Sequence, residues 1–403
     1  MEPATSVSTS TISETDCLSF LINYAIENNF SVALWRLPDN RTKHLIVARQ
    51  HELVKTDTPL EDLPAGFILA PFDRQAERIF LKGDLTFSFA DNILQTPNNA
   101  DETNSVAWLG TQIKKNAANS TPRFYRLKYQ PHASGKEPFL KIIREGIGEI
   151  ESGTFEKIVP SRAHLVDLDP RFDVVRAFQQ LCDTNPNALV SFVSTPETGS
   201  WLGATPELLV NVENKNIFRT IALAGTQTYH EGVNLKTVAW TQKDIEEQAL
   251  VERYIISCFK KIRLREFEEH GPKTVVAGNL LHLRSDFKVD MVATNFLQLG
   301  SVMLQLLHPT SAVCGVPLEP SLEFLNKHEG YQRQLYSGYL GPVNYNNDIN
   351  IFVNLRCAQL LEDKAVLYAG AGVTIDSTPE QEWNETEIKM SALLKIISTW
   401  SVS

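Results

Sequence analysis

Between residues 188 and 225 the chain carries four apolar runs, ALVSFV (188–193), GSWLGA (199–204), ELLVNV (207–212) and IFRTIALAG (217–225), joined by links of only two to five residues. Runs of this length, rich in β-branched and aromatic residues and bounded by turn formers, read as strands. Glu213-Asn214-Lys215-Asn216 supplies a hairpin turn between the last two. A parallel neighbour needs a crossover of a dozen residues or more, so strands linked this closely must run antiparallel. An alternating βαβ architecture is thereby excluded for the middle of the chain.

The flanks add helices to these sheets. Phe139, Ile142, Ile143, Ile147 and Ile150 share one helical face in 137–151. Pro170 opens a second helix with Val174, Phe178 and Leu181 on its apolar stripe. Amphipathic periodicity predicts further helices over 243–263, 288–307 and 379–398. FEKIVPSRAHLVDL (155–168) and segments near 338–343, 350–357 and 365–373 read as strands, as do SVALW (31–35), HLIVA (44–48) and GFILA (66–70) in an irregular first region. Residues 94–122 are polar and Asn-rich and predict a long loop or subdomain junction. The first 16 residues, rich in Ser and Thr, predict a frayed end. There is no 20–50-residue repeat. The fold class is α+β.

Charge then bounds the partners. Lys plus Arg number 38 against 48 for Asp plus Glu, a net charge of −10. Such a chain lacks the basic footprint for nucleic acid or an anionic membrane. An anionic ligand would need local cations, oriented backbone N–H groups or a metal to hold it. Five scattered cysteines without a CxxC pair point to reduced thiols. No signal-peptide pattern and no apolar stretch of about 20 residues is present, so the expectation is a soluble cytoplasmic protein. The length of 403 residues by itself allows two or three domains.

Several ionisable residues sit in apolar surroundings. Lys157 lies within Phe155-Glu156-Lys157-Ile158-Val159, and Glu207 follows Gly203-Ala204-Thr205-Pro206. The plain readings are a lysine that snorkels to water and a glutamate that opens a strand. Desolvated, the same pair would suit a general base and a general acid. Asp244, Glu246 and Glu247 crowd the start of the 243–263 helix, where acids ordinarily complement the dipole. Glu382, Glu385 and Lys389 share a face of the last helix, as an exposed Glu→Lys pair would. The sharper reading pairs Glu247 with Glu385 as oxygen ligands for Mg2+. Arg356, flanked by apolar residues, needs a carboxylate partner, internal or on a ligand. Gly370 and Gly372 could let backbone N–H groups approach an anion or simply mark a bulge. His282 and His308, both in apolar settings, read as satisfied core histidines.

Nine blocks fall in order from about 140 to 398: EKIVPSR (156–162), WLGATPELLV (201–210), ALAGT (222–226), KDIEEQALV (243–251), LLHPTSAVCGVP (306–317), LYSGYLGPV (335–343), VNLRCA (353–358), YAGAGV (368–373) and EWNETEIK (382–389). In this series the chain resembles the chorismate-utilising enzymes: isochorismate synthase, salicylate synthase, anthranilate synthase component I and aminodeoxychorismate synthase component I. The resemblance implies one catalytic unit of two stacked antiparallel sheets with outer helices and a cleft between them. Residues 136–403 would form the chorismate-binding region, and residues 1–135 would complete the fold.

Two positions separate the chemistries of that family. Isochorismate and salicylate synthases carry a Lys in the KIV block that activates water, as Lys157 would here, where anthranilate synthases typically have Gln. Aminodeoxychorismate synthases typically place a nucleophilic Lys where this chain has Ala224. The resemblance therefore implies an isochorismate synthase, an isomerase, with menaquinone biosynthesis as the pathway. Lys157 would deprotonate the attacking water, and Glu207 would protonate the leaving hydroxyl. Glu247 and Glu385 would hold Mg2+, while Gly225, Thr226, Tyr336, Arg356, Gly370, Gly372 and Lys389 would line the chorismate. No glutamine amidotransferase partner is implied. Alternatives are a salicylate synthase, a siderophore-pathway isochorismate synthase and a non-catalytic chorismate- or anion-binding regulator. The chain departs from the family pattern at Gln248, where His is common, at Gln227-Thr228-Tyr229, where an Arg usually follows, and at Pro160, commonly Leu.

Overall fold

The computed structural model describes residues 13–55, 57–95, 100–113, 121–128, 133–277 and 280–401. Among these residues, two nine-stranded sheets form the body. The first runs, in spatial order, β7 (Ile93–Leu94), β6 (Leu85–Ala90), β2 (Lys43–Ala48), β1 (Ser31–Arg36), β10 (Leu189–Thr195), β11 (Gly199–Thr205), β19 (Cys357–Leu360), β20 (Lys364–Gly370) and β9 (Ser161–Asp167). The second runs β14 (Glu268–Ala277), β15 (Leu280–Asp290), β13 (Ile217–Thr228), β12 (Leu208–Glu213), β18 (Ile349–Val353), β17 (Tyr339–Val343), β4 (Gly66–Ala70), β5 (Arg78–Lys82) and β3 (His51–Val54). A short ribbon pairs β16 (Gly315–Val316) with β8 (Lys157–Ile158). The named neighbours pair antiparallel, as the short links require.

The sheets stack face to face, and each carries helices outside. α1 (Glu14–Glu27), α2 (Ala100–Ile113), α4 (Val174–Thr184) and α8 (Pro379–Ser398) cover the first; α3 (Lys136–Glu151), α5 (Gln242–Lys261), α6 (Leu299–Leu307) and α7 (Leu318–His328) lie on the side of the second. Strand periodicity divides the core accordingly. In β1, Val32 and Leu34 face the helices, while Ala33 and Trp35 pack between the sheets with Phe67, Leu69, Trp201 and Phe352. Both faces of such a strand are buried, which is why it reads as a continuous apolar run rather than an alternation. The segment before residue 135 contributes strands to both sheets: β1, β2, β6 and β7 to one, β3, β4 and β5 to the other.

The helix expected from Pro170 begins at Val174 instead, because Asp173 caps it, and of the 16 residues expected to fray, 13–16 open α1 behind the Ser13 cap while 1–12 lie outside the described ones. Four more sequence expectations change. Within 94–122, residues 100–113 form a helix instead of a loop, residues 96–99 and 114–120 lying outside the described ones. The face of α2 toward β6 carries Glu102, Ser105 and Leu109, so mostly polar side chains are buried and no apolar stripe announces it. The helix expected over 288–307 begins only at Leu299, because β15 runs to Asp290, whose carboxylate accepts the Val292 and Ala293 N–H groups in a turn. The 155–168 strand breaks at Pro160 into β8 and β9. The 350–357 strand breaks at residues 354–356, and its halves lie in different sheets. Both breaks fall at the functional site. Among the described residues no helix is long and apolar enough to cross a membrane.

Candidate active site

The site is built where strands leave one sheet for the other. β11 ends at Thr205 in the first sheet and β12 starts at Leu208 in the second, so Pro206 and Glu207 occupy the crossing. The return crossing, from β18 to β19, lies beside it. Thr205 Oγ1 donates to Val353 O at 2.6 Å, Val353 N–H to Glu207 O at 3.0 Å, and Ala204 N–H to Arg356 O at 3.1 Å. Arg356 adopts φ +47°, a left-handed conformation uncommon for a residue with a Cβ and typical of sites that aim a side chain. A third irregularity is a bulge in β13, whose pairing with β15 shifts between Ala224 and Gln227. Gly225, at φ +67°, makes that bulge possible.

These irregularities enclose one pocket. Its lining includes Glu207, Gly225, Thr226, Glu247, Tyr336, Arg356, Gly370, Gly372, Glu385 and Lys389, the ten candidate positions other than Lys157. Lys157 is fully buried directly behind the wall, its Nζ 2.9 Å from Glu247 Oε1. Gly372 is there for space: a Cβ at that position would stand 2.1 Å from Glu247 Oε1 and 3.2 Å from Lys157 Cε. Gly372→Ala is therefore expected to displace the Glu247 carboxylate and depress turnover at least tenfold, with the melting temperature little changed; steady-state kinetics beside a thermal melt checks this.

Charge in the pocket is arranged for an anion. Arg356, Lys389 and Lys157 surround Glu207, yet burial outweighs all three and pushes the Glu207 carboxyl up to about 7, with Thr310 Oγ1 3.5 Å from its Oε1. Glu207 can thus be a proton donor near neutral pH. Burial raises the Tyr336 phenol, keeping it a neutral donor; its ring stacks on Tyr368 at 5.1 Å. Burial lowers Arg356, but a guanidinium stays charged.

Two ammonium–carboxylate pairs join α5 to its neighbours, Lys157 of β8 with Glu247 and Lys243 with Glu382 of α8 at 2.6 Å, and a third, Lys389 with Glu385 at 2.5 Å, lies within α8. Burial raises the Glu247 carboxyl less than Lys157 and Lys243 lower it, so it stays ionised. Glu382 is fully buried, and burial pushes its carboxyl up. Among the described residues no cluster of three or more His, Cys, Asp or Glu is grouped as a metal cage. Glu247 and Glu385 nevertheless face the pocket as two hard oxygen donors. That set is too small and too hard for zinc, but fits Mg2+, which keeps waters and takes substrate oxygens.

The sequence reading missed some lining residues. His282 is not merely a core histidine: it lines the pocket, its Nδ1–H donating to Gly225 O at 2.6 Å while Nε2 lies 3.5 Å from Arg356 Nη2. Burial, with Arg356 beside it, lowers its pKa to about 3, so it is neutral and free to accept from Arg356. His308 is a satisfied core histidine, bonded to Pro71 O. Lys243 and Thr310 lay in recognised blocks but carried no distinguishing signal of their own. Gln248 points away into the interior, toward Ala222 O, Glu252 and Ser285.

Behind the pocket Arg333 and Glu329 form a buried pair. The Arg333 guanidinium donates to both Glu329 oxygens and to Val159 O and Val313 O, two residues of the pocket wall. Glu329 Oε1 also accepts from Ser161 N–H and Oγ–H. Breaking a buried pair strands its partner, so Arg333→Met should cost about 3–5 kcal/mol in a denaturant titration.

Residues 73–398 match the profile of a family described as chorismate binding enzymes. Isochorismate synthase EntC of Escherichia coli K12 is 29% identical over 249 residues, 60% of this chain and 62% of that protein, so less than two thirds of its length is matched. Isochorismate synthase DhbC of Bacillus subtilis is 29% identical over 284 residues, 67% of this chain and 69% of that protein. Among solved structures, the menaquinone-specific isochorismate synthase MenF of E. coli superposes with a TM-score of 0.72 at 20% identity, covering 94% of this chain and 91% of that one. A Bacillus anthracis protein assigned as a 2,3-dihydroxybenzoate-specific isochorismate synthase, DhbC, gives 0.72 at 22% identity, over 94% of this chain and 99% of that one. At those identities the superpositions speak for the fold of two stacked sheets with outer helices. With the profile matched over most of its length, the chain belongs to the chorismate-binding enzyme family.

Proposed function

We propose that this protein is an isochorismate synthase, an isomerase that converts chorismate to isochorismate. The observation that carries the reading is Glu207: a carboxyl with pKa near 7 set in a pocket that also gathers Arg356, Lys389 and, just behind the wall, Lys157. Once its ammonium has released a proton to solvent, Lys157 accepts one from a water molecule, whose oxygen bonds to ring carbon C2. Glu207 gives its proton to the C4 hydroxyl, which leaves as water while the ring double bonds shift. One water enters and one departs, so no redox partner is needed, and solvent resets both side chains. Arg356 pairs with one substrate carboxylate bidentately. Gly225, Thr226, Tyr336, Gly370 and Gly372 shape the wall against the ring, and Lys389 adds charge. Bound by Glu247 and Glu385, Mg2+ would compensate the other substrate carboxylate, the one the net charge of −10 most opposes. Ala224 at the pocket wall leaves no lysine there to attack the ring, which favours water as the nucleophile.

The test is purified protein with chorismate and Mg2+, products separated by HPLC. Isochorismate is expected, and EDTA should abolish its formation. Salicylate with stoichiometric pyruvate would identify a salicylate synthase instead; an aminated product with ammonia would defeat the Lys157 argument. A regulator would bind chorismate without turnover. The pathway proposed for the product is menaquinone biosynthesis. Deleting the gene should deplete menaquinone, and depletion of a catechol siderophore instead would reassign it. No amidotransferase partner is required, because water rather than ammonia attacks.

A further inference from the structure

Arg162 is among the largest fully buried side chains, at 1% exposure, yet it lies outside the pocket lining. Burying a guanidinium is costly, so its partners indicate what it does. Among the described residues its hydrogen-bond and ring partners are on α8. Nε donates to Thr386 Oγ1 at 2.7 Å, Nη2 donates to Glu387 Oε1, and the guanidinium carbon lies 3.7 Å over the Trp383 ring. The Thr386 hydroxyl donates in turn to Trp383 O at 2.7 Å, closing the array. Residues 383, 386 and 387 form one face of the helix and 382, 385 and 389 another, so Arg162 grips α8 on a side away from Glu385 and acts on it only by turning the helix. Arg162 stands in β9 opposite Ala369, one residue before Gly370, whose carbonyl accepts from Lys389 Nζ at 2.9 Å.

We propose that Arg162 is a positioning residue that sets the rotation of the N-terminal half of α8, and through it the Mg2+ affinity of the Glu247 and Glu385 pair; this rests on the functional reading above. The C-terminal half of the helix is gripped by Met390, Leu393, Ile396 and Ile397 in the core. Its first two turns are held by the Lys243–Glu382 pair to α5, by the Arg162 fork and by Trp383, whose ring meets Phe139 at 6.0 Å. A helix is about 10–12 Å across with its side chains, so a 20° rotation moves a peripheral carboxylate by about 2 Å. Mg2+ demands near-ideal octahedral geometry and does not follow such a shift.

The experiment is isothermal titration of the substrate-free enzyme with MgCl2, beside thermal melts, for wild type, Arg162→Lys, Arg162→Met and Thr386→Val. Glu385→Gln calibrates loss of a ligand. Mg2+ Kd is expected to rise roughly ten- to a hundred-fold in Arg162→Met, less in Arg162→Lys, and kcat at saturating Mg2+ to stay within a few-fold of wild type. If Arg162→Met does not fold, Thr386→Val decides, since it removes only the hydroxyl that accepts from Nε and donates to Trp383 O. Folded variants with lowered melting temperatures and unchanged Mg2+ Kd would overturn the proposal and leave Arg162 a purely structural residue. A wild-type enzyme that binds no Mg2+ would overturn the metal site itself, and the proposal with it.

Discussion

Lys157→Ala should lower kcat for isochorismate formation by about a hundred- to ten-thousand-fold, the usual contribution of a positioned general base, while chorismate binding changes little. The lysine is completely buried and its amine meets Glu247, so truncation also leaves that carboxylate without its ammonium. Lys157→Arg separates the two effects. Arginine keeps the positive charge beside Glu247 but cannot surrender its proton at neutral pH, so this variant should be folded and as inactive as the alanine one. Kinetics paired with equilibrium dialysis of chorismate measures both. A near-normal rate in either variant would remove Lys157 from the mechanism.

Glu207→Gln should have a comparable effect, because glutamine preserves size and polarity but cannot deliver a proton. The pH dependence makes the claim specific. As a general acid Glu207 works protonated, so the wild-type kcat should fall as pH rises through about 7, and the residual rate of the variant should lack that limb. The variant's stability, unlike its activity, should rise above that of wild type. The folded carboxyl is raised from 4.5 to about 7, so between those values the folded state binds more protons than the unfolded one. Wild-type stability contributed by this group is full below about 4.5 and lost as pH rises toward 7. Glutamine is neutral throughout, so the variant should gain stability relative to wild type across that window and hold the gain above it. Melting temperatures at pH 5 and pH 8 test this; an equal difference at both would show that Glu207 is not held protonated by burial. Such an exchange of stability for activity is what a group kept in an unfavourable environment for chemistry should show.

How much of this was legible in the chain depends on whether the signal was local. Antiparallel pairing followed from link lengths near 188–225, and the helices over 137–151 and 379–398 from apolar periodicity. α2 was not legible, because its inward face holds Glu102 and Ser105, which bond to β6 in place of an apolar stripe. The start of α6 was misplaced because Val289 and Met291 continue the apolar pattern through a turn that Asp290 closes. Ten of eleven candidate site residues share one pocket, and the eleventh pairs with one of them. They were legible because they sit in compact blocks. His282 and Lys243 were passed over because a buried histidine and a helix-start lysine look alike with or without a function.

The sequence by itself determined the α+β class, the family likeness and the residue types at Lys157, Glu207 and Ala224, since each rests on local pattern or on identity at a position. Only the tertiary structure decided that the Pro206-Glu207 link and the 354–356 break are neighbouring crossings between two sheets. Strand periodicity says which residues alternate but not which sheet a strand joins, and both runs read as ordinary continuations. It is that exchange of sheets that buries Glu207, turns Arg356 inward through a left-handed backbone and brings α5 and α8 to the same pocket. Burial depends on what packs around a residue, and so does the proton affinity on which the proposed chemistry relies.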